Sequence, residues 1–229
     1  MENVSTFTSI AMIVTTLLAV AIFYIAAQRF NKFLLATIVW LLLQAALATA
    51  GFYEVVNTVP PRFILLPGPP VVAIIVLFST AAGRRFIDGL DAKWLTLLHT
   101  VRIAVEIILW LLYQQRAVPG IMTFEGSNFD ILAGLSSLLI FYFVFVKKRI
   151  GRKGLLAWNM VCLALLINIV TIAILSAPTP MQRFGFEQPN IAVLHFPFVW
   201  LPACIVPLVL FSHLAMIRRL LEVSKARAV

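Results

Sequence analysis

The chain has 229 residues, of which 62% are hydrophobic and 12% are charged, and its formal net charge is +9. Soluble domains of this size are about 45–50% apolar and about 25% charged, so these values exclude a water-soluble fold and indicate lipid as the solvent. The basic residues lie in short clusters between apolar runs, where orientation signals occur. The positive charge therefore does not indicate nucleic-acid binding.

Seven apolar runs are each long enough for a transmembrane helix, which needs about 20 mostly apolar residues. We therefore predict one all-α integral membrane domain covering residues 1–229. Its seven helices are predicted at approximately 8–28, 33–53, 64–83, 94–114, 129–147, 154–177 and 193–217. Prolines in the first turns of the third run are compatible with a helix start, because the missing N–H would have no helical partner there.

The distribution of lysine and arginine predicts the orientation. Fourteen of the 18 basic residues fall in connections one, three and five and in the C-terminal tail. Connections two, four and six hold one each, namely Arg62, Arg116 and Arg183. By the positive-inside rule, the N-terminus lies outside and the C-terminus in the cytoplasm. Short connections without targeting signals favour a bacterial inner membrane.

Two parts of the chain resemble each other. Residues 22–24 (IFY) recur at 140–142, and VLFS at 76–79 recurs at 209–212, each time followed by a double arginine, at 84–85 and at 218–219. One interpretation is a 3+1+3 parallel repeat, in which helices one to three correspond to helices five to seven, as in some transporters. The alternative is chance similarity between leucine-rich segments.

The fourth apolar run contains ionisable residues within its membrane-spanning length. His99, Arg102 and Glu106 lie on one helical face because they are spaced by three and four residues, and Trp110 and Tyr113 extend this stripe outward. An arginine at mid-membrane costs about 2.5–3.5 kcal/mol on insertion scales, and we expect the nearby Glu106 to offset part of it. These residues are candidates for ligand binding or proton coupling. The alternative is an ion pair that fixes helix packing.

Polar residues of the outer connections form a second candidate set. We predict a cavity mouth on the outside, since lone arginines there can bind an anionic or zwitterionic group. The members of this set are Arg62, Arg116, Arg183, Glu187 and His195. Asn128 and Asp130 are instead interpreted as caps of the fifth helix.

A haem hypothesis follows from two histidines at similar predicted depth. His99 and His213 could be axial ligands of a b-type haem, with Arg102 pairing a propionate. The chain lacks a C-x-x-C-H motif, and His195 lies too far away to complete a zinc site with the other two. We therefore predict no metal site and no cofactor apart from this haem alternative.

The leading functional interpretation is a transporter that binds a small-molecule solute in an outward-facing cavity. Glu106 or His99 would exchange protons at its floor. The alternatives are a receptor or assembly subunit without catalysis, whose basic residues 147–153 contact a partner, and a haem electron carrier. An enzyme is less favoured, because H-E-x-x-H, G-x-S-x-G and glycine-rich phosphate loops are absent. Expected partners are the lipid bilayer and the solute, and a homo-oligomer is compatible with the sequence.

Overall fold

The computed structural model describes residues 3–226 and is all-helical, with 72% of residues in helices. No strand occurs within that range. The helices are α1 (Thr6–Ala26), α2 (Asn31–Thr49), α3 (Gly68–Ser79), α4 (Ala81–Asp88), α5 (Ala92–Leu98), α6 (Val101–Gln114), α7 (Asp130–Phe141), α8 (Arg152–Ser176) and α9 (Val206–Ala226). The predicted all-helical class is therefore confirmed.

Six helical segments are long and apolar enough to cross a membrane. They are Thr6–Ala26, Asn31–Thr49, Arg62–Ser79, Ala92–Gln114, Arg152–Ser176 and Leu201–Glu222. A seventh apolar segment, Asp130–Val146, is shorter and combines α7 with one π-helical turn. Its 17 residues lie at the lower end of the range that spans a bilayer.

Two of the predicted runs are interrupted in the structure. In the third, a 3₁₀ turn at Arg62–Leu65 precedes α3, and the chain bends again at Thr80. The Thr80 hydroxyl accepts a hydrogen bond from Gly83 N at 3.1 Å and so caps α4. In the fourth, α5 ends at Leu98, and α6 begins at Val101.

The segment Ala92–Gln114, formed by α5 and α6, lies at the centre of the bundle together with the last helix. Buried residues make up 61% of its most apolar stretch and 67% of that of the last helix, against 17–39% in the other four long segments. It packs between α1 on one side and α7 on the other. Its side chains are therefore shielded from the surroundings of the bundle.

A proline in the last helix leaves one carbonyl without its helical partner, and a side chain of α2 bonds to it. Residues Leu201–Ile205 form a π-helical turn, and Pro207 has no N–H to offer the carbonyl of Ala203. The indole of Trp40 on α2 donates to this Ala203 oxygen at 2.9 Å. A side chain thus satisfies the carbonyl that the proline leaves free, as membrane interiors require.

Contacts at the two ends of the bundle show which helix termini lie together. At one end, Gln115 Nε2 after α6 donates to Thr8 Oγ1 at the start of α1, at 3.0 Å. At the other end, Asp91 N donates to Ala26 O at 2.8 Å, and Arg219 donates to Leu90 O. The start of α1 therefore lies at the opposite end from Arg219 in α9.

A glycine allows α6 and α7 to approach closely. A Cβ added at Gly134 would lie 2.7 Å from Ile103 Cγ1 and 3.0 Å from Ile103 N. Small residues at such crossings let the backbones of membrane helices come together.

We predict that Gly134→Ala destabilises the protein by about 1–3 kcal/mol, because overpacking forces α6 and α7 apart. The measurement is the unfolding midpoint of the detergent-purified protein in SDS. Gly151→Ala is the matched control, since a Cβ at Gly151 meets no atom within 4 Å. Equal midpoints for the two variants would contradict a close α6–α7 contact.

Candidate functional site

An ion pair between α6 and α7 lies in the interior of the bundle. Arg102 is only 2% exposed, and its guanidinium makes two hydrogen bonds to the Asp130 carboxylate, one of them from Nε to Oδ2 at 2.6 Å. Such a bidentate pair fixes the relative geometry of both groups. The carboxylate that pairs with Arg102 is therefore Asp130 on the next helix and not Glu106 on its own.

The same guanidinium also contacts the last helix and α8. Its Nη1 lies 3.0 Å from His213 Nε2, and its Nη2 donates to the Cys162 carbonyl at 3.2 Å. Because an arginine can only donate, His213 Nε2 must accept, and the proton of this neutral imidazole is on Nδ1. His213 Nδ1 then donates to Asn159 Oδ1 at 3.0 Å. Arg102 thus joins four helices.

Glu106 is held by an asparagine of the outer connection. Asn128 Nδ2 donates to Glu106 Oε1 at 2.5 Å and to the Met122 carbonyl at 2.9 Å. Asn128 Oδ1 accepts from Asp130 N at 3.0 Å, two residues on, as in an Asx turn. The N-cap residue of α7 is Phe129, without a side-chain capping bond, so Asn128 is one residue before the observed cap position. Asn128 forms a turn at the start of α7 and also orients Glu106.

The second carboxylate oxygen of Glu106 has no hydrogen-bond partner in residues 3–226. Glu106 and Asp130 both line a narrow cavity of about 100 Å³ whose other walls are almost entirely apolar. A buried polar atom without a partner is costly, and such atoms in native structures call for a functional explanation.

His99 stacks on His213. The ring centroids are 3.9 Å apart with an interplanar angle of 18°, and Trp158 approaches His99 edge-on at 5.4 Å. Within the described residues, neither ring nitrogen of His99 has a hydrogen-bond partner. His99 is thus a buried imidazole held by ring contacts alone.

This arrangement does not fit the haem hypothesis. A bis-histidine haem would separate the two imidazoles by the porphyrin and its iron, whereas these rings are in direct contact. In addition, His213 Nε2 is already occupied by Arg102.

The last two residues of the predicted stripe, Trp110 and Tyr113, lie outside the interior network around Arg102. Trp110 Nε1 donates to Glu125 Oε1 at 3.0 Å, and the Trp110 ring stacks near Phe124. Tyr113 lies beside Gly120, where an added Cβ would be 3.1 Å from Tyr113 Cε2. Trp110 and Tyr113, near the end of α6, therefore contact the connection between α6 and α7, whereas His99, Arg102 and Glu106 lie in the interior.

An open polar cleft of about 1,310 Å³ lies between the connection that joins α6 to α7 and the connection that follows α8. Its charged lining residues are Arg116, Glu125, Arg183 and Glu187. Tyr113 also lines this cleft. The cleft and the narrow cavity beside Glu106 have no lining residue in common.

Arg62 and His195, predicted at the same mouth, lie in a separate cluster. The Arg62 guanidinium lies 4.7 Å from the centroid of the Phe52 ring and donates to Phe52 O at 3.3 Å. His195 Nδ1 lies 3.4 Å from Glu54 Oε1. Burial lowers the pKa of His195, and the neighbouring Glu54 carboxylate opposes this shift.

Comparison with known proteins identifies a family. A family model matches residues 61–221, which is more than half of the chain. The chain belongs to this family, a domain of unknown function (DUF8737). No curated protein and no solved structure matches it. The matched DUF8737 region contains the whole interior network from His99 to His213 and the four charged residues of the outer cleft.

Sequence reasoning misses the part that Asp130 plays in this network, because this residue follows a polar connection and is interpreted there as a helix cap. Asp130 is only 5% exposed. Asn159 joins two helices by a hydrogen bond to His213, which is the role that an asparagine in an apolar helix indicates. One signal was available, since an arginine buried in a membrane requires a carboxylate, and Asp130 is close to the start of an apolar run.

We predict that Asp130→Asn destabilises the protein by about 3–5 kcal/mol, because it leaves the Arg102 charge buried without a counter-ion. The measurement is again the SDS unfolding midpoint. The matched control is Asp88→Asn, since Asp88 is half-exposed and lies 3.6 Å from Arg218. Such surface pairs contribute about 0–1 kcal/mol.

The double variant Arg102→Met/Asp130→Leu should recover most of the lost stability, because it removes both buried charges. A double variant as unstable as Asp130→Asn would contradict the ion pair as the source of the effect.

Proposed function

We propose that the chain crosses the membrane seven times, with its N-terminus outside and its C-terminus in the cytoplasm. The positive-inside pattern supports this orientation. An odd number of crossings is supported by the helix ends, because the start of α1 lies near Gln115 whereas Arg219 of α9 lies near Leu90. Asp130–Val146 would be the seventh span. A bacterial inner membrane remains our proposed location.

The 3+1+3 repeat is part of the same proposal. In it, α1 and α7 begin the two corresponding units, and the segment Ala92–Gln114 links them. The packing of that segment between α1 and α7 supports this assignment. The IFY and VLFS pairs in the sequence support it independently.

We propose that the protein is a transporter of a small solute that is coupled to proton movement. The observation that carries this proposal is the buried, unpartnered Oε2 of Glu106 beside a cavity in the bundle interior. Buried ionisable residues in membrane helices mark proton relays and substrate pathways. His99, with two unpartnered ring nitrogens, is the second proton-exchanging group.

The interior network supplies what a proton site needs. Arg102 and Asp130 neutralise each other, so their pair fixes the geometry while the charge on Glu106 changes. Asn128 can hydrogen-bond to Glu106 whether its carboxyl group is protonated or ionised, since an amide donates and accepts. Proton uptake by Glu106 would remove a buried negative charge next to an apolar cavity. The free-energy cost of burying this carboxyl group beside the cavity would then fall.

The outer cleft is the proposed entry site of the solute. Two arginines and two glutamates line it, which suits a molecule with both a negative and a positive group. Its volume exceeds the range of about 300–1,000 Å³ typical of small-ligand sites, in keeping with an open vestibule. Arg62 and His195 lie in a separate cluster outside this entry site.

We predict that residues 127 and 149 lie on opposite sides of the membrane. The test uses Ser127→Cys and Arg149→Cys in a Cys162→Ala/Cys204→Ala background. Both sites are exposed and flank Asp130–Val146. On intact cells, an impermeant maleimide should label Ser127→Cys, whereas Arg149→Cys should react only after permeabilisation. Labelling of both positions on intact cells would exclude the seventh span.

We further predict that Glu106→Gln reduces proton-coupled uptake at least tenfold, because an amide cannot exchange the proton. The assay places the protein in liposomes with a lumenal pH dye and adds a mixture of amino acids and short carboxylic acids under a pH gradient. Glu222→Gln is the matched control, since Glu222 is exposed and pairs with Arg218 at 2.6 Å, far along the last helix. Equal uptake by the Glu106→Gln and wild-type proteins would exclude Glu106 as the coupling group, and a wild-type protein without uptake would favour a receptor or assembly subunit.

A further inference from the structure

Another cavity, which shares no lining residue with the polar cleft or with the cavity beside Glu106, lies between α1, α2, α3 and the last helix. Its volume is about 320 Å³, and its lining is almost entirely apolar. It extends along α3 from Pro69 to Leu77 and along the last helix from Ala203 to Phe211. Eight residues of α-helix correspond to about 12 Å, so the cavity is an elongated crevice.

The crevice exists because α2 and α3 do not pack along each other. Their sequence counterparts in the second half, α8 and α9, are in extensive contact. Ala36 and Ala73 line the crevice, and both are exposed. Since α2 and α3 belong to segments of membrane-spanning length, the opening between them faces the bilayer.

The crevice has few polar groups that could form hydrogen bonds with water. The Trp40 N–H is already bonded to Ala203 O, and the only other polar side chains are those of Thr37 and Cys204. Ordered water requires two to four polar partners, so a hydrocarbon chain is the better occupant of such a crevice.

One end of the crevice meets a basic pocket of about 380 Å³. Phe86 lines both, and the pocket also contains Arg29, Asn31 and Arg85. Phe86 packs against Phe30 with ring centroids 5.7 Å apart. Among residues 3–222, no side chain or backbone group forms a hydrogen bond or ion pair with the Arg29 or Arg85 guanidinium, so both are available to a ligand.

The basic pocket is held in place by contacts between connections one and three. Gln28 Nε2 donates to Gly89 O at 2.5 Å, and Asp91 N donates to Ala26 O. Gly83 permits the sharp bend into α4, because a Cβ there would lie 2.2 Å from the Leu77 carbonyl oxygen. This bend places Arg85 at the end of the crevice.

We propose that this composite site binds one anionic phospholipid. An acyl chain occupies the crevice, and the phosphate group is bound by Arg29 and Arg85. The apolar crevice opening to lipid and the two unpaired cations at its end match the two parts of such a molecule. The site is independent of the proposed transport function, and it uses the proposed orientation only to place the headgroup at the cytoplasmic surface.

The test measures lipid binding to the delipidated, detergent-purified full chain by native mass spectrometry. Phosphatidylglycerol and phosphatidylcholine with identical acyl chains compete for the protein. We expect phosphatidylglycerol to bind at least tenfold more tightly. Equal affinity of the wild-type protein for the two lipids would overturn the proposal without recourse to any variant.

Two pairs of matched variants locate the site. Arg29→Gln/Arg85→Gln should abolish the preference for phosphatidylglycerol, whereas Lys148→Gln/Arg149→Gln removes the same charge from connection five and should retain it. Ala73→Phe fills the crevice and should weaken binding of both lipids at least tenfold. Ala46→Phe adds the same ring to an exposed position of α2 outside the crevice and should not.

Preference retained in the Arg29→Gln/Arg85→Gln variant, or lost equally in the connection-five variant, would show that net charge alone attracts the lipid and would overturn the assignment. Equal effects of Ala73→Phe and Ala46→Phe would exclude the crevice. Inorganic phosphate at millimolar concentration should not displace the bound lipid. Displacement would show that the basic pocket binds the anion without an acyl chain and would overturn the assignment of the composite site to a phospholipid.

Discussion

The Arg102–Asp130 ion pair is the interaction on which the interior of this protein depends. A guanidinium in a low-dielectric interior is tolerated only when its charge is neutralised and its donors are bonded. Asp130 supplies the charge and two of the acceptors, and His213 and the Cys162 carbonyl supply the others. Four helices therefore meet at one side chain, and the close α6–α7 approach at Gly134 brings the two charges together.

The ion pair also organises the groups that we assign to proton exchange. Asp130 N donates to the side chain of Asn128, and Asn128 in turn orients Glu106. On the other side, His213 contacts Arg102, and His99 stacks on the His213 ring. Glu106 and His99 lie on opposite sides of Arg102 in the sequence of the segment Ala92–Gln114. Neither makes an ion pair among the described residues, so the proposed proton exchange at either group would leave the Arg102–Asp130 pair intact.

Much of the fold followed from the sequence because lipid imposes strict rules. Length and hydropathy predicted the helices, with boundaries close to those observed in α1, α2 and α8. The interruptions at Thr80 and near His99 were not predicted, since they depend on a cap and on packing and leave the hydropathy unchanged. The helical spacing predicted that His99, Arg102 and Glu106 share one face, and all three are buried. It assigned the wrong partner to Arg102, because spacing within one helix carries no information about the neighbouring helix that supplies Asp130.

One side chain fixes the spacing of the polar cleft. Gln188 Nε2 donates to the carbonyls of Val118 and Tyr113, at 2.6 Å and 2.9 Å, and so ties the connection after α8 to the end of α6 and to the connection that follows it. Arg116 lies between those two carbonyls in the sequence, and Arg183 lies five residues before Gln188. The separation of the two walls of the cleft is thus set in part by hydrogen bonds from the Gln188 side chain to main-chain carbonyls. If the proposed solute binds there, a cleft of fixed width would select molecules by the distance between their charges, and binding would require no ordering of the connections.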